Sequence, residues 1–515
     1  MLATARSAAV LGIEAFDVLV EVDVALGLPQ WTIVGLPAGA VKESRERVSA
    51  ALANAGLPIP PRRVTVNLAP ADVRKEGTAF DLPIALAMLV ALGRLPAVAL
   101  ENLVVLGELG LDGAVRSVRG VLPVARRAAR SRKRTVLVVP PANLAEAALV
   151  GNVKLATPAT LADLVAWLRN GSLPEPRRPA PDPPLRGDAD FADVVGQESA
   201  KRALEIAAAG GHACLLIGPP GAGKTMLARR LPTILPALRD DEALEVTSIH
   251  SVAGLLPGGG PVLAGRPFRA PHHSISSAGL VGGGSSPRPG EVSLAHHGVL
   301  FLDEMLEFPR HVLESLRQPL EDGRVVIARA AASTAYPARF SLVGAMNPCP
   351  CGNAGEPTRE CICSASDIAR YRARLSGPLI DRIDMHVTLG AVSIRALGDR
   401  AQHSRERSAA IRARVEMARE RQRRRYVKQR GVRCNAHASG RAIDADGRVE
   451  TDARALLHDA AERLKLSARG YHRVLKLART IADLADRDVV AKPDVAEALR
   501  YRPRVEVQES EGAIA

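Results

Sequence analysis

The sequence predicts an α/β core built on a parallel sheet, preceded by an α+β domain and followed by a helical lid. Three observations predict it. Gly218-Pro219-Pro220-Gly221-Ala222-Gly223-Lys224-Thr225 lies between an apolar run, Cys214–Ile217, and a helix start at Met226. A second apolar run, Val299–Leu302, ends in the acids Asp303 and Glu304, and parallel strands carry polar chemistry at that carboxyl edge. Six prolines between Pro174 and Pro184 make an extended, semi-rigid tract that separates two folding units.

In chain order, Val18, Val20, Val22 and Val24 alternate with Leu19, Glu21 and Asp23, the period of a half-buried strand. Further strands are expected at 64–68, 103–106 and 135–139, with helices near 41–55, 81–92 and 120–131, so residues 1–170 form the α+β domain. The proline-rich linker takes 171–187, and the core 188–395. Lys224 and Asp303 stand 79 residues apart, long for one helix and one strand, so the Gly- and His-rich excess at 250–297 is expected to be a projecting loop or hairpin. The last segment, 396–515, opens with an Arg-studded stretch, Arg405 to Arg430, with Ile411, Val415 and Ala418 at helical spacing. Its charged face suits either solvent or nucleic acid. Helices at 452–485 and 490–500 complete the lid.

The glycines of the first motif let successive backbone N–H groups turn toward phosphate oxygens. Lys224 can reach β- and γ-phosphates, and the Thr225 hydroxyl can hold Mg²⁺. A plain glycine turn before a helix is the alternative, but it has no need of Lys-Thr in this context. Asp303 can hold the same Mg²⁺ through water, and Glu304 can polarise an attacking water as general base. The run Ser341–Met346 ends in Asn347, an amide able to orient that water. The expected cofactors are therefore ATP and Mg²⁺.

The chain has 515 residues, enough for about three domains. No run approaches the roughly 18 apolar residues of a membrane span, and Glu14 and Asp17 interrupt any signal-peptide core. Six cysteines in so large a chain suit reduced thiols, and a cytoplasmic location is expected. The formal charge of +14 suits a polyanionic partner. Aromatics are only 3%, so a grip on nucleic acid would rest on Lys and Arg against phosphates rather than on base stacking. Cys349, Cys351, Cys361 and Cys363 cluster as C-x-C-x9-C-x-C, a candidate Zn²⁺ site although tighter than the usual spacing, with reduced structural thiols as the alternative. His272, His273, His296 and His297 read as solvated loop histidines, with phosphate contact or metal ligation as the alternatives.

Asp193–Glu198, Gly218–Thr225, Arg266–His273, Met346–Gly352 and Arg374–Asp384 together resemble the magnesium-chelatase-like AAA+ ATPases called YifB or ComM, over nearly the full length. The resemblance implies an AAA+ P-loop core, a Lon-protease-like N-terminal domain and a helical C-terminal domain. It implies a hexameric, ATP-driven DNA helicase that promotes branch migration in natural transformation, acting on single-stranded or branched DNA beside recombination proteins. It also assigns Arg382 as the finger reaching a neighbouring subunit's γ-phosphate and Arg469 as the lid arginine sensing the same phosphate. Both fit physically, because a guanidinium neutralises charge developing on the γ-phosphoryl oxygens. Arg374 and Arg473 are the nearest competitors.

Arg74–Asp81 and Leu106–Gly120 are similar to the proteolytic domain of Lon-type proteases. Where that family carries its Ser and Lys, this chain has Ala79 and Leu122, so acylation has no nucleophile and no base. An ATP-dependent protease is thereby disfavoured. A magnesium-chelatase-type metal-insertion subunit is the other alternative, disfavoured by the N-terminal domain. DNA contact is expected from Arg266 and Arg269, from a strand-turn-strand at 321–327, from the basic helix, and from Arg62, Arg63, Arg74 and Lys75.

Overall fold

The computed structural model describes residues 1–131, 135–177, 189–256, 265–284, 287–329, 332–356, 359–391, 406–429, 431–445 and 448–502. Most of the proline-rich tract and Gly258–Gly260 lie outside them.

Alternation in the first strands sets the N-terminal sheet. Leu2–Leu11 pairs antiparallel with Glu14–Ala25, from Leu2 opposite Asp23 to Leu11 opposite Glu14. Arg63–Ala69 adds antiparallel to the second strand, and Gln30–Val34 runs parallel to it at the edge. Val18, Val20, Val22 and Val24 are buried because one face of this sheet rests on the helix Asp81–Ala91. Every residue of that helix is buried, so its apolar surface runs all round, as a central core helix requires. A second sheet of three parallel strands, Leu103–Val105, Val136–Val138 and Lys154–Ala156, packs against the helix Val121–Arg130.

The core sheet has five parallel strands in the spatial order Phe268–Arg269, Val299–Leu302, Ser341–Met346, Cys214–Ile217, Met385–Thr388. The inner strands are continuous apolar runs because helices cover both their faces. Within 250–297, Gly282–Gly283 pairs antiparallel with Arg288–Pro289, the expected hairpin, whereas Phe268–Arg269 is an edge strand of the core sheet rather than a projecting loop. Its Phe268 stacks on Phe301 with ring centroids 6.0 Å apart, and the pair holds this part of 250–297 as an edge strand.

The expected strand-turn-strand at 321–327 is also corrected. Glu321 and Asp322 close the helix Arg317–Asp322, and the hairpin is Arg324–Arg329 with Ala332–Pro337. The long helix at 452–485 is two, Thr451–Arg463 and Ala468–Leu484. Lys465 takes φ 48°, and the Ser467 side chain accepts from Gly470 N to start the second helix as an N-cap.

The C-terminal helices share one apolar core with the sheet. Val415, Leu477 and Ala498 belong to the same buried cluster as Ala203, Val299 and Met385, so the lid is fastened directly to the helix Glu198–Gly210. The N-terminal domain docks on the core helix Asp240–Ala253. Gly120 N donates to Ser251 O at 3.3 Å, Arg126 reaches Ser248 Oγ at 3.4 Å, and the Ser251 hydroxyl donates to the buried Glu146.

Candidate nucleotide site

The strand Cys214–Ile217 delivers the chain to Gly218, where an added Cβ would lie 2.7 Å from Leu389 O, so only glycine fits against the neighbouring strand. Gly221 and Gly223 take φ of 81° and 86°, the left-handed region that turns the loop and feeds the helix Lys224–Ile234.

Five expected residues converge here. Lys224 Nζ donates to Gly218 O at 2.5 Å, to Pro219 O at 3.0 Å and to Asn347 Oδ1 at 3.0 Å. These are bonds a phosphate oxygen can replace. Burial pushes the Lys224 pKa down, against the pull of Asp303 and Glu304. The Thr225 hydroxyl donates to Asp303 Oδ2 at 2.7 Å, so the two oxygens that would ligate Mg²⁺, directly and through water, already stand side by side. Asp303 Oδ1 also accepts from Glu304 N at 3.0 Å. Glu304 sits at φ 48°, ψ 48°, a conformation costly for a non-glycine residue. It leaves the carboxylate 63% exposed, with His273 Nδ1 3.8 Å away.

Arg382 and Arg469 come together on one carboxylate, Glu321, whose pairing no local pattern marks. Arg382 Nη2 lies 2.5 Å from Glu321 Oε1, and Arg469 Nη1 lies 3.3 Å from the same oxygen. Arg382 also donates to Pro378 O at 2.6 Å. The Arg382 hydrogen bond holds the Glu321 carboxyl below its ordinary pKa. Their competitors are engaged elsewhere: Arg374 on Glu307 at 3.3 Å, Arg473 on Asp384 at 3.0 Å. Asp384 in turn bonds the fully buried His212 at 3.1 Å, whose other ring nitrogen meets Thr480 Oγ1 at 2.8 Å. Glu321 and His212 were missed because their partners are distant in sequence and no local pattern marks them.

Several expected DNA contacts are corrected. Arg266 spends its guanidinium inside the chain, on Pro236 O at 2.6 Å, His297 O at 2.7 Å and Glu242 at 3.0 Å. Arg269 grips Glu291 in a two-bond fork at 2.6 and 2.7 Å. Lys75 is buried and its Nζ has no partner among the described residues; Arg62, Arg63 and Arg74 remain exposed. In the basic helix Ser408–Arg425, Arg414 pairs with Glu205 at 2.5 Å and Arg425 with Asp483 at 2.6 Å. Arg419 caps Ala208 O at 2.7 Å. Much of that charge therefore fastens the lid rather than facing a ligand.

His296 and His297 are not solvated loop histidines. Both are buried, and they meet Glu245 Oε2 at 3.3 and 2.8 Å. Arg339 N donates to His296 Nδ1 at 2.9 Å, which fixes the neutral tautomer with Nε2–H toward the glutamate. Burial, aided by the neighbouring His297, pushes the His296 pKa down to about 4. His272 stays exposed, and His273 is the residue beside Glu304. In the N-terminal domain Leu122 is buried, with its N–H donated to Glu146 Oε1 at 2.7 Å, and Ala79 packs against the cluster containing Val121. The four cysteines Cys349, Cys351, Cys361 and Cys363 converge, with all four sulfurs within 4.8 Å of one another. Among the described residues, no helix is long and apolar enough to cross a membrane.

Comparison with known proteins covers most of the chain. Residues 190–397 match the family described as "Magnesium chelatase, subunit ChlI", residues 20–143 "Subunit ChlI of Mg-chelatase", and residues 405–502 "Magnesium chelatase, subunit ChlI C-terminal". The competence protein ComM of Haemophilus influenzae is 44% identical, covering 98% of this chain and 98% of its own length. YifB of Escherichia coli is 41% identical, covering 97% of each. The magnesium-chelatase 38 kDa subunit of Rhodobacter capsulatus is 30% identical but spans only 31% of this chain and 50% of itself.

Proposed function

This chain belongs to the YifB/ComM family of magnesium-chelatase-like AAA+ ATPases, and from that premise we propose that it is an ATP-hydrolysing ring motor that remodels DNA by branch migration during recombination. The observation that carries the ATPase reading is the convergence of Lys224, Thr225, Asp303, Glu304 and Asn347 at one end of the parallel sheet. Lys224 binds the phosphates, Thr225 and Asp303 hold Mg²⁺, and Glu304 takes the proton of the attacking water that Asn347 orients. Mg²⁺ held by Thr225 and Asp303 would supply charge neutralisation on the phosphoryl oxygens.

The ring rests on Arg382 and Arg469. Two guanidiniums gathered on one carboxylate form a cationic pair ready to be handed to a neighbour's γ-phosphate. A finger supplied in this way makes each site depend on the next subunit, and six subunits close the ring. The competence role in the name of the full-length relative, together with the charge of +14, favours DNA as the track.

A magnesium-chelatase-type role is the second reading. Residues 20–143 match a family that also carries that subunit's description, so the N-terminal domain argues against it less than the sequence suggested. The partial reach of the 38 kDa subunit, against the near-complete reach of the competence protein, favours DNA. ATPase rate discriminates. It is expected to rise severalfold with branched or single-stranded DNA and to stay flat with a porphyrin-chelatase partner or an unfolded protein. Stimulation by either of the latter and not by DNA would replace this reading.

A further inference from the structure

Four sulfurs come together immediately after Asn347. Cys349 Sγ lies 3.3 Å from Cys351 Sγ and 3.6 Å from Cys361 Sγ, and Cys351 and Cys361 are also 3.6 Å apart. Cys363 completes the group, every sulfur within 4.8 Å of the others. A tetrahedral Zn²⁺ with bonds of about 2.3 Å sets its thiolates about 3.8 Å apart, so the three contacts among Cys349, Cys351 and Cys361 need only a small expansion to hold one. Disulfides do not account for the arrangement, because all four cysteines are free and the contacts of 3.3–3.6 Å are far longer than an S–S bond of about 2.05 Å. Backbone N–H groups aim at the sulfurs as well. Ala354 N lies 3.2 Å from Cys349 Sγ, and Cys351 N lies 3.4 Å from Cys363 Sγ. Such donors stabilise sulfur carrying negative charge, the form a metal requires.

The position of the cluster gives it a consequence. Gly352, between the two halves of the motif, takes φ 84°, and a Cβ there would lie 2.7 Å from Pro220 Cδ. The cysteine loop therefore rests its backbone on the phosphate loop. On its other side the strand Ser341–Met346 leads to Asn347, which bonds Lys224 at 3.0 Å.

We propose that Cys349, Cys351, Cys361 and Cys363 bind one zinc ion as thiolates, and that this ion clamps the segment after Asn347 against Pro220, pre-forming the phosphate loop for nucleotide. Binding releases the thiol protons and changes no oxidation state. The clamp stands apart from the assignment of DNA as substrate, since it is tested without DNA. It is also distinct from the second metal-like group, Glu245, His296 and His297, where Arg339 N and Glu245 already occupy both nitrogens of His296.

The full chain, expressed without a metal-binding tag and purified without chelator, is expected to carry about one zinc per chain by elemental analysis. Titrating its thiols with a mercurial should release that zinc, a readout that requires no variant. The double substitution Cys361→Ser, Cys363→Ser should lose the metal and weaken affinity for a fluorescent ATP analogue about tenfold, with the fold checked by circular dichroism. A zinc-free wild type would overturn the site. Zinc retained at full occupancy in the variant would overturn it too and move the ion to the Glu245 group. A variant that loses zinc yet binds the analogue as the wild type does would overturn the clamp.

Discussion

Arg266 illustrates how burial changes what a charged residue is for. Its guanidinium is enclosed by Pro236 O, His297 O and Glu242, and Glu242, held down to a pKa of about 2, is itself largely buried. Without Arg266, Arg433 Nη1 still holds Glu242 at 2.9 Å, but Pro236 O and His297 O lose their donor, at a cost of about 1–3 kcal/mol for each acceptor left unsatisfied. Arg266→Ala is therefore expected to lower the thermal midpoint sharply while leaving the salt dependence of DNA binding unchanged; a flattened salt slope at unchanged stability would return it to the DNA surface. The sequence exposed the residues whose roles follow from local spacing. Lys224, Thr225, Asp303, Glu304 and Asn347 all sit at strand or helix ends that apolar runs announce. It did not expose Glu321, whose pairing with Arg382 and Arg469 depends on the packing of three separate elements, nor the internal partners that take Arg266 and Arg269 away from solvent.

Elements were legible where one period dominates. The alternation from Val18 to Val24 identifies a strand, and the apolar runs of the core identify parallel strands buried on both faces. The break at Leu464–Leu466 was hidden because Lys465 in a left-handed conformation carries no local signal, although Ser467 marks the next N-cap. Phe268–Arg269 was hidden by its length, two residues paired with Val299 and Leu300. At this scale the helix Asp240–Ala253 carries Glu242 and Glu245 against the buried His296 and His297. In the folded chain His296 titrates near 4, and the buried His386 does the same, while an unfolded histidine titrates near 6.5. Below that value the unfolded chain takes protons that the native state refuses. Stability should thus be constant above about pH 6.5 and fall as the pH drops from there toward 4. Urea midpoints at several pH values check this, with His296→Gln expected to remove about 1–2 kcal/mol of the loss between pH 7 and pH 5. A midpoint independent of pH across that window would contradict the buried neutral histidines.

At the scale of the whole molecule, the domains are joined by named contacts: Gly120, Arg126 and Glu146 hold the N-terminal domain to Ser248 and Ser251, and the lid shares the core of the sheet. Lys224→Ala is expected to abolish nucleotide binding. Arg382→Ala should preserve binding and slow hydrolysis by about 10³–10⁵. Because the proposed finger would act across a subunit boundary, mixing the two variants should restore part of the ATPase activity. A dead mixture in which mixed rings are present would remove Arg382 from that role.

The most direct measurement is strand exchange on three- and four-way DNA junctions. With ATP and Mg²⁺ the wild-type chain should convert the junctions to exchanged products. With a non-hydrolysable analogue, or with Lys224→Ala, the junctions should persist. Exchange that proceeds equally without hydrolysis, or junctions left intact under full ATP turnover, would contradict an ATP-driven DNA motor.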